Sequence, residues 1–235
     1  MAYIYEYIRT RGHEPLYFEE HCIYLEAGAV RYFGEPLKPS RNELLSAIKE
    51  VLQRGRFSPT VMNAVEVRYF HDGRFEVEAK EIIYSTFSLR ALHPRAYLHR
   101  ISGKSLLDNT SAKEALIEFH RTTSQSLERS VALWADANDE VLAIDGEPVI
   151  AIFEDEIRFS RKGESVEFDH AYDTVVEMGR NATKGAISLA DLKEAKELLF
   201  IGHEGISAVH RFDTTLYMDI TAEKIASKIA EKESL

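Results

Sequence analysis

One lysine carries the clearest chemical possibility in this chain. Lys104 follows Gly103 in the stretch Ile101 to Ala115, ISGKSLLDNTSAKEA, just ahead of a helical apolar spacing at Ala112, Ala115, Leu116 and Phe119. A lysine on a sharp turn beside a core helix is held partly out of water, which lowers its pKa and frees the amine for Schiff-base chemistry. The ordinary alternative is a solvated surface lysine. Upstream, Arg95, His99 and Arg100 form a basic cluster that can bind a carboxylate or phosphate, or serve as a solvated joint. Tyr24 shares a helical stripe with Tyr17, His21 and Arg31, which reads either as an anion site or as a half-buried aromatic stripe. His203, between Gly202 and Glu204, can donate to an anion at a strand end or stand in solvent. Asp145, Glu147 and Asp155 resemble paired carboxylates, but they surround a turn and a strand edge and read as solvated.

The elements that must position these residues follow from periodicity and punctuation. Tyr3 to Thr10 alternates, with Ile4 and Ile8 on one side and Tyr5, Tyr7 and Arg9 on the other, so it reads as a strand ended by Gly12. Phe18 to Phe33 reads as a helix with Cys22, Leu25, Ala29 and Phe33 inward, stopped by Gly34 and Pro36. Ser40 with Glu43 makes a capping box for a second helix that Gly55 closes. Strands Met62 to Phe70 and Arg74 to Glu81 flank the turn His71-Asp72-Gly73. Pro94 biases His93 away from helix and marks a joint. Beyond it come a helix at Ala112 to Thr122 and strands at Val131 to Asp136, Val141 to Ile144, Pro148 to Phe153 and Glu156 to Phe159. Helices follow near His170 to Gly179 and Leu189 to Lys196, then strands at Leu198 to Ile201 and Ile206 to Phe212 and a C-terminal helix begun by Thr221. The expected organisation is an N-terminal α/β domain over residues 1–94, a joint at 95–100, and a C-terminal α/β domain over 101–235 with a curved or barrel-like sheet.

Composition narrows the function classes. The chain has 235 residues, 45% hydrophobic and 29% charged, enough for two modest domains with real cores. Its formal charge of −10 argues against nucleic acid and anionic membrane as partners. The single cysteine, Cys22, forms no internal disulfide, and no cysteine and histidine spacing reads as a metal site. The opening MAYIYEYIRT alternates where a signal peptide would be continuously apolar, so the expectation is a cytoplasmic protein.

Taken in order, the segments resemble the fold-type IV pyridoxal-phosphate enzymes, the branched-chain and D-amino-acid aminotransferases and aminodeoxychorismate lyases. Tyr5-Glu6-Tyr7-Ile8-Arg9 is similar to the family's F-E-T-I-R strand, and Phe18-Glu19-Glu20-His21 with Leu25 to its L-x-E-H-x-x-R-L helix. Lys104 with Asn109 to Ala115 resembles the Schiff-base lysine and the N-x-x-A-x-x-E-A helix behind it. Asp136 through Val141 to Ile150 resembles D-x-x-G-x-V-x-E-x-x-x-x-N-I-F. Ile187 to Leu192, then Ala195 and Glu197 to Gly202, resembles the I-S-L-D-E-L, A-D-E-V-F and T-G-T run.

The resemblance implies a two-domain α/β (α+β) D-amino-acid-aminotransferase-like fold. It further implies a pyridoxal 5'-phosphate aldimine on Lys104, cofactor contacts at the positions of Tyr24, Gly202 and His203, an amino-acid or keto-acid substrate, and a homodimer; Arg31, on the Tyr24 stripe two turns further on, is the candidate to supply the missing positive charge. Transamination or lyase chemistry would follow. The chain departs from the family at residues that hold the cofactor. Tyr24 replaces the phosphate arginine, Ala143 the glutamate that pairs with the pyridinium nitrogen, and Pro148 the N-I-F asparagine. Glu167 to Tyr172 stands for the phosphate-cradling L-P-G-[IV]-T-R turn, with Asp169 in it. These departures keep open a second expectation, a cofactor-free homologue acting as a binding or interaction protein.

Overall fold

A computed structural model describes residues 1–55, 62–80, 86–90, 92–103, 106–123 and 130–234. Lys104 lies outside the described residues. The chain divides into two compact units, Met1–Thr86 with Asp108–Glu114, and Phe87–Leu107 with Ala115–Leu235.

In the first unit, β1 (Tyr3–Arg11), β2 (Glu14–Pro15), β3 (Met62–Phe70) and β4 (Phe75–Lys80) form an antiparallel sheet in the order β2-β1-β3-β4. Alternation splits β1 as the sequence expects. Ile4 and Ile8 face α1 (Phe18–Phe33) and α2 (Arg41–Arg54) in a core with Cys22, Leu25, Ala29, Leu44, Ile48, Leu52, Val65 and Val67. Both helices end on local chemistry. Gly34 takes the left-handed conformation (φ 70) and returns its N–H to Val30, while Ser40 and Glu43 complete a capping box at the start of α2.

The second unit holds two sheets. One runs in the order β11-β10-β9-β12-β13-β5, from β5 (Leu89–Arg90), β9 (Val149–Ile152), β10 (Ile157–Ser160), β11 (Ala182–Gly185), β12 (Glu197–Gly202) and β13 (Gly205–Ala208). The other runs β15-β14-β6-β7-β8, from β6 (Arg95–Arg100), β7 (Ser130–Ala135), β8 (Val141–Ile144), β14 (Arg211–Phe212) and β15 (Thr215–Leu216). Val149, Ala151, Leu198 and Phe200 pack against Leu133, Ala135, Val141 and Ile144 between the sheets. On the opposite face, Ile150, Ile152, Leu199 and Ile201 meet α4 (Val166–Glu177) and α5 (Ile220–Glu233). Burial on both faces explains why Val149–Ile152 of β9 and Leu198–Ile201 of β12 read as apolar runs. The outer face of the second sheet is covered by α3 (Ser111–Thr123) through Leu116 and Ile117.

Three expectations need correction. Residues 95–100 are a strand and not a joint: β6 is parallel to β7 over its whole length, and the units part between Thr86 and Phe87. The buried side of α3 is not the stripe read from the sequence. Ala112, Ala115 and Phe119 are exposed, whereas Lys113 and His120 are buried. The segment 206–212 is also two strands, β13 in one sheet and β14 in the other. No helix among the described residues is long and apolar enough to cross a membrane.

Candidate functional site

In the first unit, three of the family-like segments meet on one carboxylate. Glu6 of β1 accepts from His21 Nδ1 at 3.0 Å and from Asn109 Nδ2 at 3.2 Å, and the Asn109 carbonyl oxygen accepts from Lys113 Nζ at 2.8 Å. Glu6, His21 and Lys113 are buried, so each bond replaces lost hydration. Burial of Lys113 escapes sequence reading, and the Asn109 amide helps to satisfy it. Tyr24 is half-buried on α1. Arg31, two turns further on, donates to Asp108 at 2.6 Å, and the same carboxylate accepts from Tyr32. Arg31 is therefore already matched with an anion. On the face of the sheet away from the helices, Tyr3 and Tyr7 donate to Glu114, and buried Glu66 holds Arg68 through two bonds and Lys80 at 2.9 Å. Tyr5, between Tyr3 and Tyr7 in sequence, is buried within the chain at 4% exposure.

In the second unit, Gly202 and His203 lie at the β12–β13 turn, where Gly202 pairs with Gly205. Glu147 packs against Gly202 so closely that a Cβ there would collide with the Glu147 carboxylate. Arg90 donates to Glu147 (2.5 and 3.4 Å) and to Glu204 (3.1 Å). The carboxylates read as solvated are thus engaged, Asp155 excepted, which is exposed. Asp145 is half-buried and accepts from the Ala132 N–H at 2.7 Å, and burial pushes its carboxyl up to about 6. Arg90 and Glu204 were missed by sequence reading. The available signal was Asp145-Gly146, a hairpin turn dipeptide that fixes where Glu147 emerges.

On the α3-covered face, Ala143 sits directly across from Trp134, and His99 lies across from Trp134 on the other side. Trp134 is fully buried, and Ala143 and Trp134 share an apolar cluster with Ala132 and Leu142. The basic cluster expected from Arg95, His99 and Arg100 is dispersed. Arg95 lies over the Tyr97 ring, Arg100 pairs with Asp139, and His99 packs edge-on against His120 with ring centroids 4.0 Å apart. The segment 167–172 is not a turn either. α4 starts earlier, capped by Ser165 accepting from the Phe168 N–H, and Asp169 on that helix pairs with Lys184 of β11 at 2.9 Å.

These donor sets do not fit pyridoxal phosphate. A phosphate at the Gly202 turn would meet the Glu147 carboxylate, and a pyridine nitrogen beside Ala143 would meet a methyl group and an indole. Tyr24 offers no charge in place of the arginine.

No protein-family model matches the sequence, and no curated protein matches it. Solved structures do match in fold. A branched-chain aminotransferase from the thermophilic archaeon Thermoproteus uzoniensis, solved with norvaline, superposes with a TM-score of 0.80 at 14% identity over 97% of this chain and 84% of its own. A fold IV-transaminase from Curtobacterium pusillum gives 0.80 at 14% identity, covering 99% and 85%. A Legionella pneumophila protein described as a 4-amino-4-deoxychorismate lyase gives 0.76 at 12%, covering 99% and 90%. With its helices and several sheets matched over nearly its whole length, the chain has the fold of the class IV aminotransferases and aminodeoxychorismate lyases.

Proposed function

We propose that this chain is a cofactor-free descendant of the fold-type IV enzymes, acting as a binding protein for a small amino acid or keto acid. The observation that carries the reading is the Trp134–Ala143 pair. Where the resemblance places a glutamate for a pyridinium nitrogen, a buried apolar wall stands instead, and without that carboxylate the ring is not held protonated as an electron sink. The proposal includes a homodimer in the cytoplasm, and with a formal charge of −10 neither nucleic acid nor anionic membrane is a partner.

A second reading is a pyridoxal-phosphate-dependent aminotransferase or lyase acting on an amino acid through Lys104. The Glu6–His21–Asn109 network favours it, because it joins three segments of the resemblance. The test is to mix purified protein with pyridoxal phosphate, reduce with borohydride and map the label by peptide mass spectrometry. The expected result is no stoichiometric label. A stoichiometric label on Lys104, abolished by Lys104→Ala, would establish the second reading. Light scattering at micromolar concentration checks the dimer.

A further inference from the structure

The end of β12 carries an electrostatic arrangement that the fold alone does not require. Asp145 (φ 48) and Gly146 (φ 79) are both left-handed, and Ile144 and Glu147 exchange backbone hydrogen bonds of 3.0 and 2.9 Å, so a tight two-residue turn carries the chain from β8 in one sheet to β9 in the other. That turn fixes the backbone from which Glu147 reaches Gly202. Its carboxylate fills the space beside the glycine, which only a residue without Cβ leaves open. Arg90, 5% exposed, grips Glu147 through both terminal nitrogens and Glu204 through one, with its guanidinium 5.2 Å from the Phe200 ring centroid. One buried cation therefore faces two carboxylates, and the cluster carries a surplus negative charge.

We propose that this strand end is an anion site filled from within. Glu147 is its resident anion, Arg90 the clamp, and Glu204 the second carboxylate that seals it against phosphate-bearing ligands. The inference rests on the cofactor-free reading and deepens it by naming the excluded class, phosphate monoesters. Any incoming phosphate must displace Glu147 from Arg90 while Glu204 repels it, and at short range in a half-buried site each repulsion is large. A ligand held at this strand end is therefore unphosphorylated.

The probe is inorganic phosphate, followed by ³¹P NMR and by thermal unfolding. Wild-type protein is expected to show no saturable phosphate binding. Glu147→Gln, close in shape, combined with Glu204→Gln, is expected to bind phosphate, with affinity rising on the order of tenfold for each carboxylate removed. Arg90→Met in that background is expected to lose the binding. Phosphate that saturates the wild type, or a folded double variant blind to phosphate, would overturn the proposal. If the double variant fails to fold, Glu147→Gln alone makes the same comparison, and absence of binding there counts against the proposal. The readout is independent of Lys104. An aldimine on Lys104 in a wild type blind to inorganic phosphate defeats the cofactor-free reading alone. Phosphate saturation of the wild type without an aldimine defeats this proposal alone.

Discussion

His21 Nδ1 stands 3.0 Å from the Glu6 carboxylate although the two residues belong to different elements, and Asn109 occupies the other carboxylate oxygen at 3.2 Å. One acid thereby ties β1, α1 and the segment that opens α3. Glu6→Ala removes the acceptor from both donors in a buried setting, and the expected loss is about 2–3 kcal/mol. Urea unfolding checks it; a change in midpoint no larger than that of an exposed control such as Glu20→Ala would contradict it.

Glu197 plays a comparable part in the second unit. It is buried and accepts from the Thr221 N–H (2.8 and 3.0 Å) and the Ala222 N–H (3.0 Å), a carboxylate seated on the first turn of α5. Glu197→Ala is expected to cost about 2 kcal/mol or more, with Glu197→Gln retaining part of it. Faster hydrogen exchange at the start of α5 in Glu197→Ala is the accompanying signature.

Asp145 predicts a pH dependence of one sign. Its carboxyl is raised by burial from 3.8 to about 6, so the folded state binds a proton that the unfolded state releases between those values. The contribution is present in full below the unfolded pKa and disappears as pH rises through about 6. Between pH 4 and pH 8 it amounts to no more than about 3 kcal/mol. Asp145→Asn, which tolerates the left-handed backbone and keeps an acceptor for the Ala132 N–H, is expected to remove this slope and to be more stable than wild type at pH 8. Unfolding curves across that range decide it.

His99 and His120 predict the opposite sign. Burial lowers His99, and burial together with the charge of His99 lowers His120. Stability from a base with a lowered folded pKa is present above the unfolded value and is lost as pH falls below about 6.5. His120→Phe, which keeps an aromatic ring against His99 and Trp134, is expected to flatten the acid limb. In wild type, both imidazole titrations by NMR should lie below the ordinary histidine range.

Local chemistry decided a large part of this protein before any tertiary contact. The ends of α1 and α2 follow from Gly34 and from Ser40 with Glu43, and the strands of the first unit follow from alternation, because those signals act within a few residues. The order of segments was enough to anticipate the fold. Tertiary structure decided which polar groups are interior. Lys113 and His120 turn α3 inward on a face that hydropathy assigns to solvent, because Asn109 accepts from one and the His99 ring packs on the other. Residues 95–100 look like a solvated basic joint until pairing with β7 makes them a sheet strand. Glu147 looks like a surface carboxylate until Arg90, 57 residues away in sequence, supplies the charge that permits its place beside Gly202. A buried charge is set by a partner distant along the chain, and no local pattern in the sequence encodes that partner.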